Sequence, residues 1–418
     1  MGLLQNEWHR VFEEMYTSDE LLVRLVRRAA ESRGVSLSEE DVKRLAECLR
    51  SGGEHEATIP LADVTGSIVL TTQDLEEAFH AIEIDVEDEA DRAICTALES
   101  LPPHVLRSLY EDLPAALDAR REEEAGFRQR LHVRWGAGLN RLEMLITIAQ
   151  ESGGEHAKEL SEEADLSAED TSMANALIAL HSRACRIASE VLCLLQCGHA
   201  DGASARWRSL HEIAVTALFL SEHPGDTLQR YLDHAAVERL KSAKSYQEHC
   251  RTLGYDPLST DEVEEIEKKA DVVKQKYGSK FMQDYGWATE ALAGKSPNFT
   301  NVEAALDMSH WRPYFKMACQ AVHAGPQALN FSLCVPDDTP PALLAGASNA
   351  GLADPGRLAS VSLMLASTAL FSFHPTLDSL VVCKCMQQLC DDIHDAFMEA
   401  HDVLEDEIAS EAGDCDQA

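Results

Sequence analysis

From Leu131 onward the large apolar side chains recur at Leu131, Trp135, Leu139, Leu142, Ile146 and Ala149. Steps of four and three bring them onto one face of a helix. Trp207, Leu210, Ala214, Ala217 and Ser221 keep the same rule. A strand alternates its faces every second residue, so this pattern cannot be buried in a sheet. The one β-like run is Gly66 to Thr71, a short strand or an extended loop. The spacing therefore predicts an all-α fold: a multi-helix, bundle-like body with long helices and a closing C-terminal helical hairpin.

Local signals place the helix starts. Ser36 stands three before Glu39, a capping box that opens a helix to about Arg50. Ser259 and Glu262 do the same for a charged helix to about Tyr277. Pro224 and Pro375 fit helix starts, where a missing N–H costs nothing. The charged run Arg120 to Glu124 separates an acidic helical region, 1–120, from a helical domain, 121–405. Gly153 to Asp170 reads as a polar loop. The Pro- and Gly-rich stretch Asn330 to Gly356 reads as an irregular segment before the closing hairpin. Residues 406–418 read as an acidic disordered tail, because Asp391 to Ala418 holds eleven acids and no Lys or Arg.

Charge and cysteine usage exclude whole classes. With 36 basic and 72 acidic residues the formal charge is −36. Broad DNA binding, or adhesion to an anionic membrane, needs a positive field that this balance does not supply. Residues 203–251, with seven basic and six acidic side chains, are nearly neutral and leave room for a local basic pocket. The most apolar stretch, Leu358 to Phe373, is shorter than the ~20 residues of a membrane span. The first residues show no secretory signal. Twelve cysteines lie scattered without a CxxC framework. They read as reduced thiols in a cytoplasmic protein, with neither metal nor cofactor called for.

Two segments concentrate reactive side chains. In the run from Gly202 to Glu212, Arg208, His211 and Glu212 fall within an arc of about 100° on a helix. Asp201 or Ser204 can cap that helix. A cation, an imidazole and a carboxylate on one face can hold an anion and move a proton. The plainer reading is an i,i+4 ion pair with a histidine beside it. The second segment runs from His310 through Arg312, Tyr314 and Lys316 to His323, with Pro313 in the first turn and Gly325-Pro326 as the stop. There His323 stands at a helix C-terminus, which favours its charged form. Its plainer role is to satisfy free carbonyls. HExxH, GxSxG and a dinucleotide fingerprint are absent, and Glu77 with His80 is an isolated ExxH.

Taken in order, ARWRSLHEIAV (205–215), RYLDH (230–234), DYGWA (284–288), HWRPY (310–314), AVHA (321–324) and SNAGLADPG (348–356) resemble a bacterial domain of unknown function, family number 5677. The resemblance runs from about Gly126 to Glu405. It implies a helical fold and no reaction. It also implies that Arg206, Arg208, His211, Glu212, His310, Arg312, Tyr314, His323 and Asn349 gather at one site. A weaker similarity is to the HEPN ribonucleases, which use an Arg, four to six residues, then a His. Arg206 and His211 have four residues between them, although on a continuous helix they point about 140° apart.

The first functional expectation is a metal-independent HEPN-like ribonuclease or toxin in phage defence. Arg206, Arg208, His211, Glu212 and His323 would be catalytic, and His310, Arg312, Tyr314 and Asn349 would bind substrate. The alternatives are a non-catalytic sensor or binding module with a cationic pocket for a small anionic ligand or a partner, and a helical scaffold. RNA or a small anion is the expected partner, with a homo-oligomer in view. The nuclease reading expects His211 and His323 to share one polar, partly accessible cavity. The helical period further predicts a far-UV circular dichroism spectrum dominated by helix, with strand near the detection floor; a quarter or more strand would contradict the fold.

Overall fold

The computed structural model describes residues 18–50, 57–60, 67–70, 72–163, 165–329, 332–335 and 344–415. Among them the fold is helical, with twelve α-helices and one small ribbon. The chain divides into two compact units, Met1–Arg120 and Arg121–Ala418.

In the N-terminal unit, α1 (Ser18–Ser32) packs on α2 (Glu39–Arg50). Val26, Ala29 and Ala30 meet Val42, Leu45 and Ala46 in a small buried core. The cap of α2 is Ser38, whose Oγ accepts from the Asp41 N–H at 3.2 Å. The box expected from Ser36 and Glu39 is thus shifted two residues along, because the chain turns helical only at Glu39. Strands β1 (Ala57–Pro60) and β2 (Ser67–Leu70) form an antiparallel pair in which Ile59 faces Ile68. The β-like run is therefore a strand with a partner. Helix α3 (Thr72–Glu162) contributes residues to both units and contains Pro102, Pro103 and Pro114.

In the C-terminal unit, the expected apolar face of α3, Leu131 to Ala149, is buried. The stretch read as a loop from Gly153 is helical as far as Glu162. Helix α4 (Ala168–Gln196) then starts at Ser167, whose side chain accepts from the Asp170 N–H. Gly198, at φ +76°, closes α4: its N–H reaches Leu195 O and the next N–H, of His199, reaches Leu194 O. That pairing is a Schellman motif and needs the left-handed residue. Helix α5 (Ala200–Glu222) follows at once. Neither Asp201 nor Ser204 caps it. Asp201 instead accepts from Leu333 N and Ser332 Oγ, tying down the irregular segment.

Beyond α5 come α6 (Asp226–Asp233), α7 (Ala235–His249) and α8 (Thr260–Tyr277), the last opened by the Ser259–Glu262 capping box. Short α9 (Phe299–Ala305) and α10 (Arg312–Gln320) pack against α5. The closing hairpin is α11 (Ala353–Phe371) and α12 (Leu377–Cys415). Helices α4, α5 and α11 pack on one another, and α12 packs on α11. Phe397 of α12 is fully buried against Gly138 and Gly356, where an added Cβ would stand 2.9 Å and 2.5 Å from its ring. The acidic tail expected to be coil is helical as far as Cys415. Just before it Leu404 packs against the core, and within it Glu407 pairs with Arg134.

A buried pair of imidazoles crosses this core. His156 Nε2 meets Phe373 O at 3.0 Å, and His181 Nε2 meets Ser367 Oγ at 3.1 Å. The His181 ring fits only because Gly153 lacks a Cβ. Burial, and then the neighbouring His156, push the His181 pKa down from 6.5 to about 4. The unfolded chain therefore takes up the proton first as pH falls. The stability that neutral His181 contributes is complete above its unfolded value and is lost between 6.5 and about 4. We expect about 2 kcal/mol to disappear between pH 7 and pH 5. Urea melts across that range should show this loss, and His181→Asn should flatten it; equal slopes in both proteins would assign the acid sensitivity elsewhere.

Candidate functional site

The richest polar cluster forms where α5 meets α9 and α10. Asn298 caps α9 by accepting from the Asn301 N–H at 2.9 Å. The helix that follows sets Phe299 and Glu303 four residues apart on one face. Pro313 sits in the first turn of α10 and sends Phe315 inward. From α5, Trp207 donates Nε1–H to Leu358 O and Ser362 Oγ of α11, at 3.0 and 2.9 Å. That fixes the rotation of α5 and with it the direction of Arg208, His211 and Glu212.

At the centre lies Glu303, only 1% exposed. Its Oε1 accepts from His211 Nε2 at 2.9 Å, and its Oε2 accepts from Arg312 Nη1 at 2.8 Å. Arg312 also donates Nη2–H to Thr300 Oγ1. The His211 ring, likewise 1% exposed, is walled by Trp207, Phe299 and Phe315, with centroids 5.3, 6.0 and 6.0 Å away. A carboxylate taken out of water requires such partners.

Toward solvent the cluster becomes half-buried. Arg208 and Arg312 lie against the same Phe315 ring, their guanidinium carbons 4.9 and 5.0 Å from its centroid. Arg208 Nε stands 3.4 Å from Glu212 Oε1 but is not aligned as a hydrogen bond, and this buried N–H has no acceptor among the described residues. Burial holds the Glu212 carboxyl above its ordinary range, partly offset by Arg208. Burial, and then Glu212, raise the nearby Tyr285 phenol. Tyr285 itself occupies a left-handed backbone, φ 57°.

The other expected site residues lie elsewhere or apart. Arg206 turns to Glu190 of α4 in a close ion pair. Tyr314 accepts from Arg357 Nη2 at 2.7 Å. Asn349 clasps Trp135 of α3, whose Nε1–H reaches both its backbone and side-chain oxygens. His310 and His323 are exposed, His323 in the turn just after α10. The expected cavity shared by His211 and His323 meets a difficulty: His211 is enclosed by aromatic rings and engaged by Glu303, whereas His323 faces solvent. Sequence reasoning missed Glu303. Its signal was a lone carboxylate four residues after Phe299, beside Val302 and followed by Ala304, Ala305 and Leu306.

Among the described residues, no group of three or more His, Cys, Asp or Glu is arranged to hold a metal ion. No helix there is long and apolar enough to cross a membrane.

Residues 174–339 match a protein family described as "Family of unknown function (DUF5677)". The match takes in the motifs from ARWRSLHEIAV to AVHA and stops before SNAGLADPG, so the resemblance covers less of the chain than Gly126 to Glu405. Neither a curated protein nor a solved structure matches the chain.

Removing one partner from a buried, paired charge typically costs ~3–5 kcal/mol. Glu303→Ala and His211→Ala should each lose stability in that range by denaturant unfolding. Exposed His323→Ala should stay within ~0.5 kcal/mol. Near-neutral His211→Ala would mean that the ring is free to do other work.

Proposed function

We propose that this chain is a non-catalytic binding module that takes a small anionic ligand between Arg208 and Arg312. The observation that carries the reading is the placement of two half-buried guanidiniums on one Phe315 ring, one of them with an N–H lacking an acceptor. An aromatic floor holds both cations in fixed geometry, so little ordering remains to be done when an anion arrives. Arg312 is further braced by Glu303 and Thr300. A phosphate or carboxylate oxygen would replace the poorly aligned Glu212 carboxylate as the partner of Arg208. Glu212, whose neutral form burial favours, would give way to it.

The ribonuclease reading draws less support. It needs an arginine and a histidine at one scissile phosphate. Arg206 is committed to Glu190 on α4, and His211 to Glu303 beneath three aromatic rings. Both would have to be released before either could act. An RNA ligand therefore enters as a test outcome.

Isothermal titration of the full chain with inorganic phosphate is the direct experiment. We expect saturable binding that falls about tenfold in Arg208→Gln, the loss of one charge-assisted hydrogen bond, with an unchanged melting temperature. Absence of binding to phosphate, and also to acetate, would overturn the reading. So would metal-independent RNA cleavage by the wild type that Arg208→Gln abolishes.

A further inference from the structure

Arg208 already faces a carboxylate, and an incoming anion has to contend with it. Glu212 stands one turn further along α5, its Oε1 3.4 Å from Arg208 Nε. The two side chains are 35% and 27% exposed, so their charges interact in a medium less polar than water. An anion oxygen in hydrogen-bond contact with the same Nε–H comes within about 6 Å of the Glu212 oxygen. Two carboxylate-like charges at that range disfavour each other, and the one that can take a proton does so.

We propose that the site takes its anion together with a proton: as the anion replaces Glu212 beside Arg208, the Glu212 carboxylate becomes a carboxyl. This rests on the anion reading given above and supplies its regulation, with acid favouring the bound form. One anion and one proton enter, and the only bond formed is the O–H of Glu212.

The neighbours of Glu212 support this exchange. Burial is the largest influence on its carboxyl and favours the neutral form. Arg208 is the largest that resists it, followed by His211, both on α5. An anion on Arg208 cancels the chief resistance. From α9, Glu303 also opposes a charge on Glu212. Arg312 of α10 is turned to Glu303 and Thr300 rather than to Glu212. From the turn at 284–288, Tyr285 presents a phenol that stays neutral, and the neighbouring Asp284 is paired with Lys241. Glu212 therefore keeps its proton to higher pH with the anion bound than without it. Between those two values, both above the ordinary carboxylate range, binding takes up a proton and affinity falls as pH rises.

Sulfate keeps one charge throughout the range of interest and is the probe. Isothermal titration of the full chain with sulfate from about pH 5.5 to 8, in Bis-Tris and Tris at fixed ionic strength, reads the coupling. We expect wild-type affinity to be about tenfold higher at the acid end. Glu212→Gln holds a neutral side chain at every pH. It should bind at the alkaline end about as tightly as wild type does at the acid end, and should lose most of the slope, the remainder belonging to histidines. A second readout needs no variant: adding sulfate to wild type in weakly buffered solution should raise the pH. Equal slopes in wild type and Glu212→Gln, or sulfate binding without proton uptake, would overturn the coupling while leaving the arginine site in place, with Glu212 swung aside still charged. Absence of sulfate binding at every pH would also overturn it, and the phosphate and acetate titrations then decide separately whether the arginine site falls as well.

Discussion

A carboxylate enclosed in protein has to be answered by hydrogen bonds or by charge, and Glu303 is answered twice. His211 holds one oxygen and Arg312 the other, so three helices meet at a single side chain. The surrounding aromatic rings depend on that meeting. Phe299 and Phe315 can close over His211 only because α9 and α10 are drawn onto α5. The two stacked arginines in turn depend on Phe315. In a low-dielectric setting such a network is stable only when complete, because a missing partner leaves a charge without solvent. The same completeness that fixes the geometry leaves His211 enclosed, with its Nε2 engaged by Glu303.

Much of the fold was legible because it rests on local rules. The three-and-four spacing from Leu131 reports burial directly, and the Ser259–Glu262 box reports a helix start from its own side chains. The errors arose where neighbours in space decide. Gly153 to Glu162 reads as loop by composition, yet α3 continues through it, with Gly153 making room for His181 from another helix. Asp201 reads as a cap, yet the segment near Leu333 claims its carboxylate. Ser36 and Ser38 are equivalent by spacing rules to within two residues, and only the backbone distinguishes them.

For the polar cluster, the sequence pointed to two of its three helices, α5 and α10, and to neither α9 nor the pairings. Arg208, His211, Glu212 and Arg312 were legible as polar residues in helical register, and they do converge around Phe315 and Glu303. Arg206, Tyr314 and Asn349 carry the same chemistry, but Glu190, Arg357 and Trp135 engage them. Residue type does not reveal such partners, because each lies on a different helix. The family resemblance over 174–339 narrows where to look without supplying a reaction.

Tyr285 carries a consequence of its own. Its left-handed backbone, φ 57°, is one that glycine adopts freely and a bulky residue does not, at a cost of order 1 kcal/mol. The ring nonetheless packs against Phe299 and shares the electrostatic environment of Glu212. A change to glycine would relax the turn while removing the ring that packs beside Phe299 and the two arginines. At this one position, a relaxed backbone and a complete aromatic and polar cluster pull in opposite directions.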